Sequence, residues 1–259
     1  MANSLQLAHQ LKGKHVLLVG GGEVALTRIL KLIKTDCKLT IVAPVIHEKI
    51  LRKYGGFDTA SDGKVHRNEK WVPGCLKLYQ YVEDTFNDDY FALDNKEGWS
   101  FIMTAIPDQV ESERIYKKAK SIYGPQQMVN VADNPPLCDF YFGANVEVEG
   151  LQLLISSNGS SPRFAALIRD EVKRHLETLD LEKSVETLGT LRSRIRDLSP
   201  DMSQSKYRMQ WIKQCTDIFG IQNAARIDVD KLVQLYKTMS QEQSLTFPPR
   251  TEVLANYTV

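Results

Sequence analysis

Apolar runs and polar interruptions alternate along the first half of the chain. Lys14 to Gly20, KHVLLVG, is short, apolar and rich in branched residues, and predicts a strand. The apolar residues that follow, Val24, Leu26, Ile29, Leu30 and Ile33, recur at helical spacing and predict a helix over 23–34. KLTIVA, over 38–43, predicts a second strand, broken by Pro44 before a short helical stretch near 46–54. Residues 55–74 are polar, carry glycine and show no period, which reads as a surface excursion. Strands resume near 78–82 and 99–105, a helix fills 109–123, and 127–132 closes the series as a fifth strand. Strands alternating with helices predict a mostly parallel sheet whose ligands lie at the carboxyl ends of the strands.

After Phe140 the pattern changes. Residues 145–149 and 151–157 flank Gly150 as a hairpin would, and from Pro162 the apolar spacing is helical almost to Gln241. Leu181 to Leu198 and Tyr207 to Phe219 are amphipathic, with breaks at Ser199-Pro200 and at Gly220. The expected fold class is α/β: a Rossmann-type parallel-sheet domain, a boundary near 143–148, and a mixed hairpin-plus-helices region beyond it.

Charge and cysteine usage narrow the function. Lys+Arg 33 against Asp+Glu 32 leaves a net charge of +1, so no global field draws the chain to nucleic acid or an anionic membrane. Any anionic ligand needs a local cluster. Cys37, Cys75, Cys138 and Cys215 are scattered without a CxxC pair, which argues against a structural zinc site, an iron–sulfur cluster or a disulfide framework. The N-terminal residues lack an uninterrupted apolar core, and no segment approaches the roughly 20 apolar residues of a bilayer span. A soluble cytoplasmic protein is expected.

The turn after the first strand, Gly20-Gly21-Gly22-Glu23-Val24-Ala25, reads G-x-G-x-x-A. In a dinucleotide site Gly20 makes the tight turn, Gly22 lets backbone approach a pyrophosphate, and Ala25 permits close helix–strand packing. The phosphates then sit at the helix start, where free N–H groups and the helix dipole favour negative charge. The acid that ordinarily ends the second strand about 20 residues on is absent, because the chain there reads Val42-Ala43-Pro44. Backbone at Ala43 and Pro44 is the substitute, and the spacing does not separate NAD from NADP. Thr104 and Ala105, ending the fourth strand, lie where the middle of a cofactor would pass.

Asp133 follows the last strand and precedes Pro135-Pro136. In a doubly wound sheet that strand end faces the nicotinamide half of the crevice, so Asp133 is a candidate acid or base. The competing reading is an Asx turn made with its own backbone. Cys138 reads as a small apolar residue and not as a nucleophile.

Four stretches together carry a resemblance: LLVGGGEVALTR at 17–28, IMTAIPD at 102–108, NVADNPPLCDFYFGAN at 130–145 and SSNGSSPRFAALIRDEV at 156–172. In these the chain closely resembles the fungal bifunctional sirohaem synthases, which dehydrogenate precorrin-2 and insert Fe(II) into sirohydrochlorin. The resemblance implies NAD as cofactor on Gly22-Glu23-Val24 and Ala43-Pro44, Fe(II) as substrate, and a tetrapyrrole held between domains. It also implies Asp133 as the single catalytic acid, and a division into a Rossmann-type domain over 1–145, a mixed α+β dimerisation region over 146–180 that forms a homodimer, and a helical C-terminal region over 181–259. A polycarboxylate substrate needs cations or N–H donors, and Ser161 and Arg163 at the start of the helix opened by Pro162 are the candidates. Ser161 also suits the N-cap, where its role would be structural only. His9, His15, His47, His66 and His175 show no metal-binding spacing, so the ring nitrogens of the substrate would be the iron's ligands. Two alternatives stay open on the sequence: a dehydrogenase without chelation, and a catalytically silent NAD-binding sensor.

Overall fold

The structure is a computed structural model that describes residues 4–57, 63–93, 98–148 and 150–259. It divides into two compact units, residues 6–141 and residues 142–259, the latter joined by the first few residues of the chain.

The first unit is built on a six-stranded sheet. Its strands are β1 (His15–Val19), β2 (Lys38–Val42), β3 (Val65–Arg67), β4 (Gln80–Val82), β5 (Phe101–Thr104) and β6 (Val129–Val131). The order is β3-β4-β2-β1-β5-β6, and every pairing is parallel except that of β3 with β4. All five residues of β1 are buried, as a parallel strand covered on both faces requires. Leu17 and Val19 join a core with Ile115 and Ala119, and Leu18 is equally buried on the opposite face. The crossovers carry α1 (Glu23–Leu32), α2 (Glu48–Tyr54) and α3 (Gln109–Tyr123).

One expectation for this unit needs correction. The excursion over 55–74 contains β3, which pairs antiparallel on the sheet edge, although 58–62 of that stretch lie outside the described residues. A three-residue, half-buried strand is too short to show a period, and only its pairing with β4 makes it a strand.

The second unit has two cores. The hairpin β7 (Ala144–Val148) and β8 (Leu151–Ile155) packs against α4 (Pro162–Leu176), around Val146, Val148 and Leu181. The helices α5 (Leu181–Leu198), α6 (Ser205–Asn223) and α7 (Val229–Gln241) form the second core, centred on the fully buried Trp211, Phe219 and Tyr236. Gly220, at φ 62, kinks α6 at the break the sequence marks. An additional helix, α8 (Arg250–Asn256), follows Pro249 and inserts Val253 into this core. Helical periodicity fades after Gln241, and seven residues with one buried apolar position give no amphipathic signature.

Candidate dinucleotide and catalytic site

The chain runs from β1 outward through β2 and β4, then returns to the other side of β1 with β5 and β6. The direction therefore reverses between β1 and β5, and a crevice opens there at the carboxyl ends. Register brings four of those ends level: Val19 is opposite Val42 and Thr104, and Thr104 is opposite Val131. The residues just beyond them, Gly20, Ala43, Ala105 and Ala132, consequently form one rim.

The three glycines at this rim do different things. Gly20 has φ +112, and a Cβ there would lie 2.4 Å from the carbonyl oxygen of Ala105. A Cβ on Gly21 would lie 2.4 Å from the oxygen of Val45. Both are demanded by the fold itself. Gly22 has ordinary φ, and a Cβ there would meet nothing within 4 Å. It is the N-cap of α1 and no side chain caps that helix, so the first-turn N–H groups face open space. Ala25 is fully buried beneath the turn, while Glu23 and Val24 stay exposed at the helix start.

A cleft of about 370 Å³ lies over this turn and is lined by Gly20, Gly22, Ala43, Pro44 and Ala105. Its outer walls come from Val45, Thr85 and Phe86, with Glu111 at the α3 side. The cleft gathers five of the expected cofactor residues, with Glu23 and Val24 leading away from it on α1. Thr104 lies just below the rim, 2 % exposed, and its hydroxyl has no partner among the described residues. An uncapped helix start, an open space at Gly22 and an apolar cleft alongside fit a dinucleotide with its pyrophosphate over Gly22. No carboxylate ends β2, so a ribose there would be held by the Ala43–Val45 backbone.

Thr85 and Phe86 follow the carboxyl end of β4, and no motif in the sequence singles them out. The rule that ligands lie beyond strand ends would have found them once β4 was placed beside β2. Glu23 carries a second feature: its carboxylate accepts a 2.8 Å hydrogen bond from His47 Nε2. His47 Nδ1 accepts from the Lys49 N–H, which fixes the neutral tautomer with its proton on Nε2.

Asp133 lies two residues past β6, exposed, in a turn with φ 59. That left-handed conformation is one that aspartate tolerates better than most residues. The Asx-turn reading is not what the structure has: none of the described residues hydrogen-bonds the Asp133 carboxylate. The turn closes through backbone instead, by Asn134 N–H to the Val131 carbonyl at 3.3 Å. Arg28, half-buried on α1, lies within electrostatic reach of Asp133 and of Cys138. Burial lowers the Arg28 pKa, and those two groups oppose the shift. The Cys138 thiol donates to the Val131 carbonyl at 3.1 Å, and burial raises its pKa, so it is no ready nucleophile.

The loop after Asp133 is tied down at its far end. Lys120 on α3 donates to the carbonyls of Pro125 and Gln127 and to Asp139 Oδ2. Asp139 also accepts from Val129 N–H, and Asn130, buried in β6, donates to the Phe140 carbonyl.

Ser161 and Arg163 belong to the second unit. Ser161 is the N-cap of α4 by position, but its hydroxyl makes no capping bond, which corrects the purely structural reading of this residue. Its N–H donates to Ser157 Oγ at 3.0 Å. Arg163 is exposed beside it in the first turn.

Comparison with known proteins follows the same division. A family model for NAD(P)-binding domains matches residues 7–144, and the central and C-terminal models of sirohaem biosynthesis proteins match 149–175 and 179–246. Among solved structures the fold is similar to that of SirC, a precorrin-2 dehydrogenase, with TM-score 0.61 at 20% identity, over 91% of this chain and 100% of that one. These define the class: a Rossmann-like NAD(P)-binding domain followed by the sirohaem-biosynthesis central and C-terminal regions. The chain is 52% identical to a siroheme biosynthesis protein of Saccharomyces cerevisiae over 99% of each chain. It is 33% identical to a siroheme biosynthesis protein of Schizosaccharomyces pombe over 90% of this chain and 78% of that one. It belongs to the family of siroheme biosynthesis proteins that these two yeasts share. Bacterial siroheme synthases match over part of their length, as in Ectopseudomonas mendocina, with 30% identity over 37% of that protein. No described helix is long and apolar enough to cross a membrane.

Proposed function

We propose that this protein acts in sirohaem biosynthesis, oxidising precorrin-2 to sirohydrochlorin with NAD and then inserting Fe(II), with Asp133 as the general base of both steps. The observation that carries this reading is the Asp133 carboxylate, exposed and without a hydrogen-bond partner among the described residues, on a turn level with the cofactor rim. β6 is two strands from β1, which at ordinary strand spacing sets Asp133 roughly 10 Å from the glycine turn. A dinucleotide whose pyrophosphate lies over Gly22 would bring its nicotinamide toward that end of the rim.

Bound NAD would accept the hydride from the saturated carbon of the substrate. Asp133 then takes the proton that leaves the macrocycle, a role that typically contributes about 10² to 10⁴-fold. In the second step two pyrrole N–H protons must depart as Fe(II) enters, and the same carboxylate is the available acceptor. Arg28 of α1 lies within electrostatic reach of that carboxylate. Ser161, whose hydroxyl caps nothing, and Arg163 are the proposed donors to substrate carboxylates.

A homodimer is part of this proposal. Phe164, Leu167 and Ile168 on one side of α4 are 60%, 48% and 40% exposed, and Leu151 and Leu154 of β8 are exposed as well. Only Ala165 of α4 is buried. A helix this amphipathic with its apolar side uncovered supports association through the hairpin and α4. The four cysteines are free thiols, in keeping with a cytoplasmic setting.

The test is Asp133→Asn, which keeps size and turn preference and removes the charge. The expected result is loss of both activities by about 10²-fold or more, with NAD affinity unchanged. A near-normal dehydrogenase rate would overturn the assignment of Asp133. Iron insertion into sirohydrochlorin, assayed without NAD, tests the second activity separately, and no insertion there would leave only the dehydrogenase.

A further inference from the structure

The helical core of the second unit carries a cleft that the proposed chemistry does not use. It measures about 380 Å³ and lies between α5 and α6. Arg192 and Arg196, one turn apart on α5, supply one wall, and Arg208 and Lys213 of α6 the other. Its floor is apolar, made by the buried Ile195 and by Ile212. None of its lining residues is a carboxylate.

The four cations are not equivalent. Arg208 is fixed in place, donating to the backbone carbonyls of Ser199 and Asp201. Lys213 pairs with Asp217 at 2.7 Å, on the outer edge. Arg194, on the same helix as Arg192 and Arg196, is satisfied by Asp230 at 2.6 Å. Among the described residues no carboxylate pairs with Arg192 or Arg196. Like charges gathered around a concave, partly apolar surface repel one another, and an anion bound there relieves that repulsion. Guanidinium groups on two walls suit carboxylate or phosphate oxygens, which they can bind bidentately.

The geometry points to a second ligand site, for an organic polyanion that presents carboxylate or phosphate groups on two edges of an apolar body. The apolar floor selects against a bare inorganic anion, and cations on both walls select against a ligand charged at one end only. This site is independent of the nucleotide cleft and of Asp133, and does not rest on the proposed reaction.

The experiment titrates the full-length chain by calorimetry with three probes: an octacarboxylate porphyrin, ATP and inorganic pyrophosphate. The wild type is compared with Arg192→Gln/Arg196→Gln, two exposed positions whose replacement leaves the helical core intact. Met209→Glu, which brings a negative charge to the same cleft from α6, is the second variant. One organic probe is expected to bind and to weaken by about tenfold or more in both variants, with NAD affinity unchanged. The porphyrin binding in this way would identify a polycarboxylate ligand, and ATP a phosphorylated one. Equal affinity in wild type and variants, binding of pyrophosphate alone, or binding of no probe would overturn the proposal.

Discussion

Lys120 Nζ lies 2.7 Å from Asp139 Oδ2, and this contact closes the far end of the loop that carries Asp133. Both side chains are largely shielded, at 16% and 28% exposure, and each has further backbone partners: Pro125 and Gln127 carbonyls for the lysine, Val129 N–H for the aspartate. Replacing Lys120 by methionine keeps its stem and leaves Asp139 and two carbonyls short of a donor. A destabilisation of about 1–3 kcal/mol is expected, read as a shift of the urea midpoint at unchanged m-value. The slope matters, because a local loss should not alter the surface exposed on unfolding.

The glycine turn gives a contrast between neighbours. Gly20→Ala drives a Cβ to 2.4 Å from backbone at Ala105, in a conformation with φ +112, so the turn itself must distort and the melting temperature should fall by several degrees. Gly22→Ala meets no protein atom, so its melting temperature should match the wild type. Its NAD affinity should nonetheless drop by about tenfold, since the methyl group occupies the space proposed for the pyrophosphate. Calorimetric titration with NAD beside thermal melts separates the two effects. Full NAD affinity in Gly22→Ala would move the pyrophosphate off this turn.

At Asp133 the backbone and the carboxylate make separable demands. With φ at 59, alanine is strained there and should cost about 1 kcal/mol, whereas glycine relieves the strain and should be at least as stable as the wild type. Neither residue supplies a base, so both variants should lose turnover equally. A urea melt and a steady-state rate for each variant test this, and turnover that tracks stability would point to a structural role for Asp133.

The parts of this molecule that could be read from the chain are those where one short segment holds the whole signal. β1, the glycine turn and α1 follow each other without interruption, and three chemical preferences agree across them: apolar run, glycines, 3.6-residue period. The hairpin β7–β8 was legible for the same reason, with Gly150 between two apolar runs. What the chain hid are relationships made by strand order. Thr85 and Phe86 join the cleft because β4 lies beside β2, and Arg28 comes within reach of Asp133 only because β5 and β6, distant in sequence, return to the same sheet as β1. β3 exists only by pairing with β4. Ser161 shows a different limit: a serine before proline marks the N-cap position, but whether its hydroxyl turns to the helix depends on a rotamer that spacing does not encode.

Asp84 links acid stability to the cofactor cleft, because it holds the loop from which Thr85 and Phe86 line the wall. Its carboxylate accepts from Lys64 Nζ at 2.8 Å, from the Tyr90 hydroxyl at 2.7 Å and from Thr85 N–H at 2.8 Å. Those bonds, with Lys64 foremost, hold its pKa down to about 2. In the unfolded chain an aspartate titrates near about 3.9. The folded state therefore binds the Asp84 proton less readily than the unfolded one. The stability that follows is fully present above about pH 4 and is lost as the pH falls through about 2. In Asp84→Asn this contribution is missing at every pH. The difference in urea midpoint between wild type and variant should thus be constant from pH 7 to about 5 and shrink as the pH falls from about 4 to about 2. A difference that persists undiminished at pH 2 would mean that the hydrogen bonds to Asp84 do not depend on its charge.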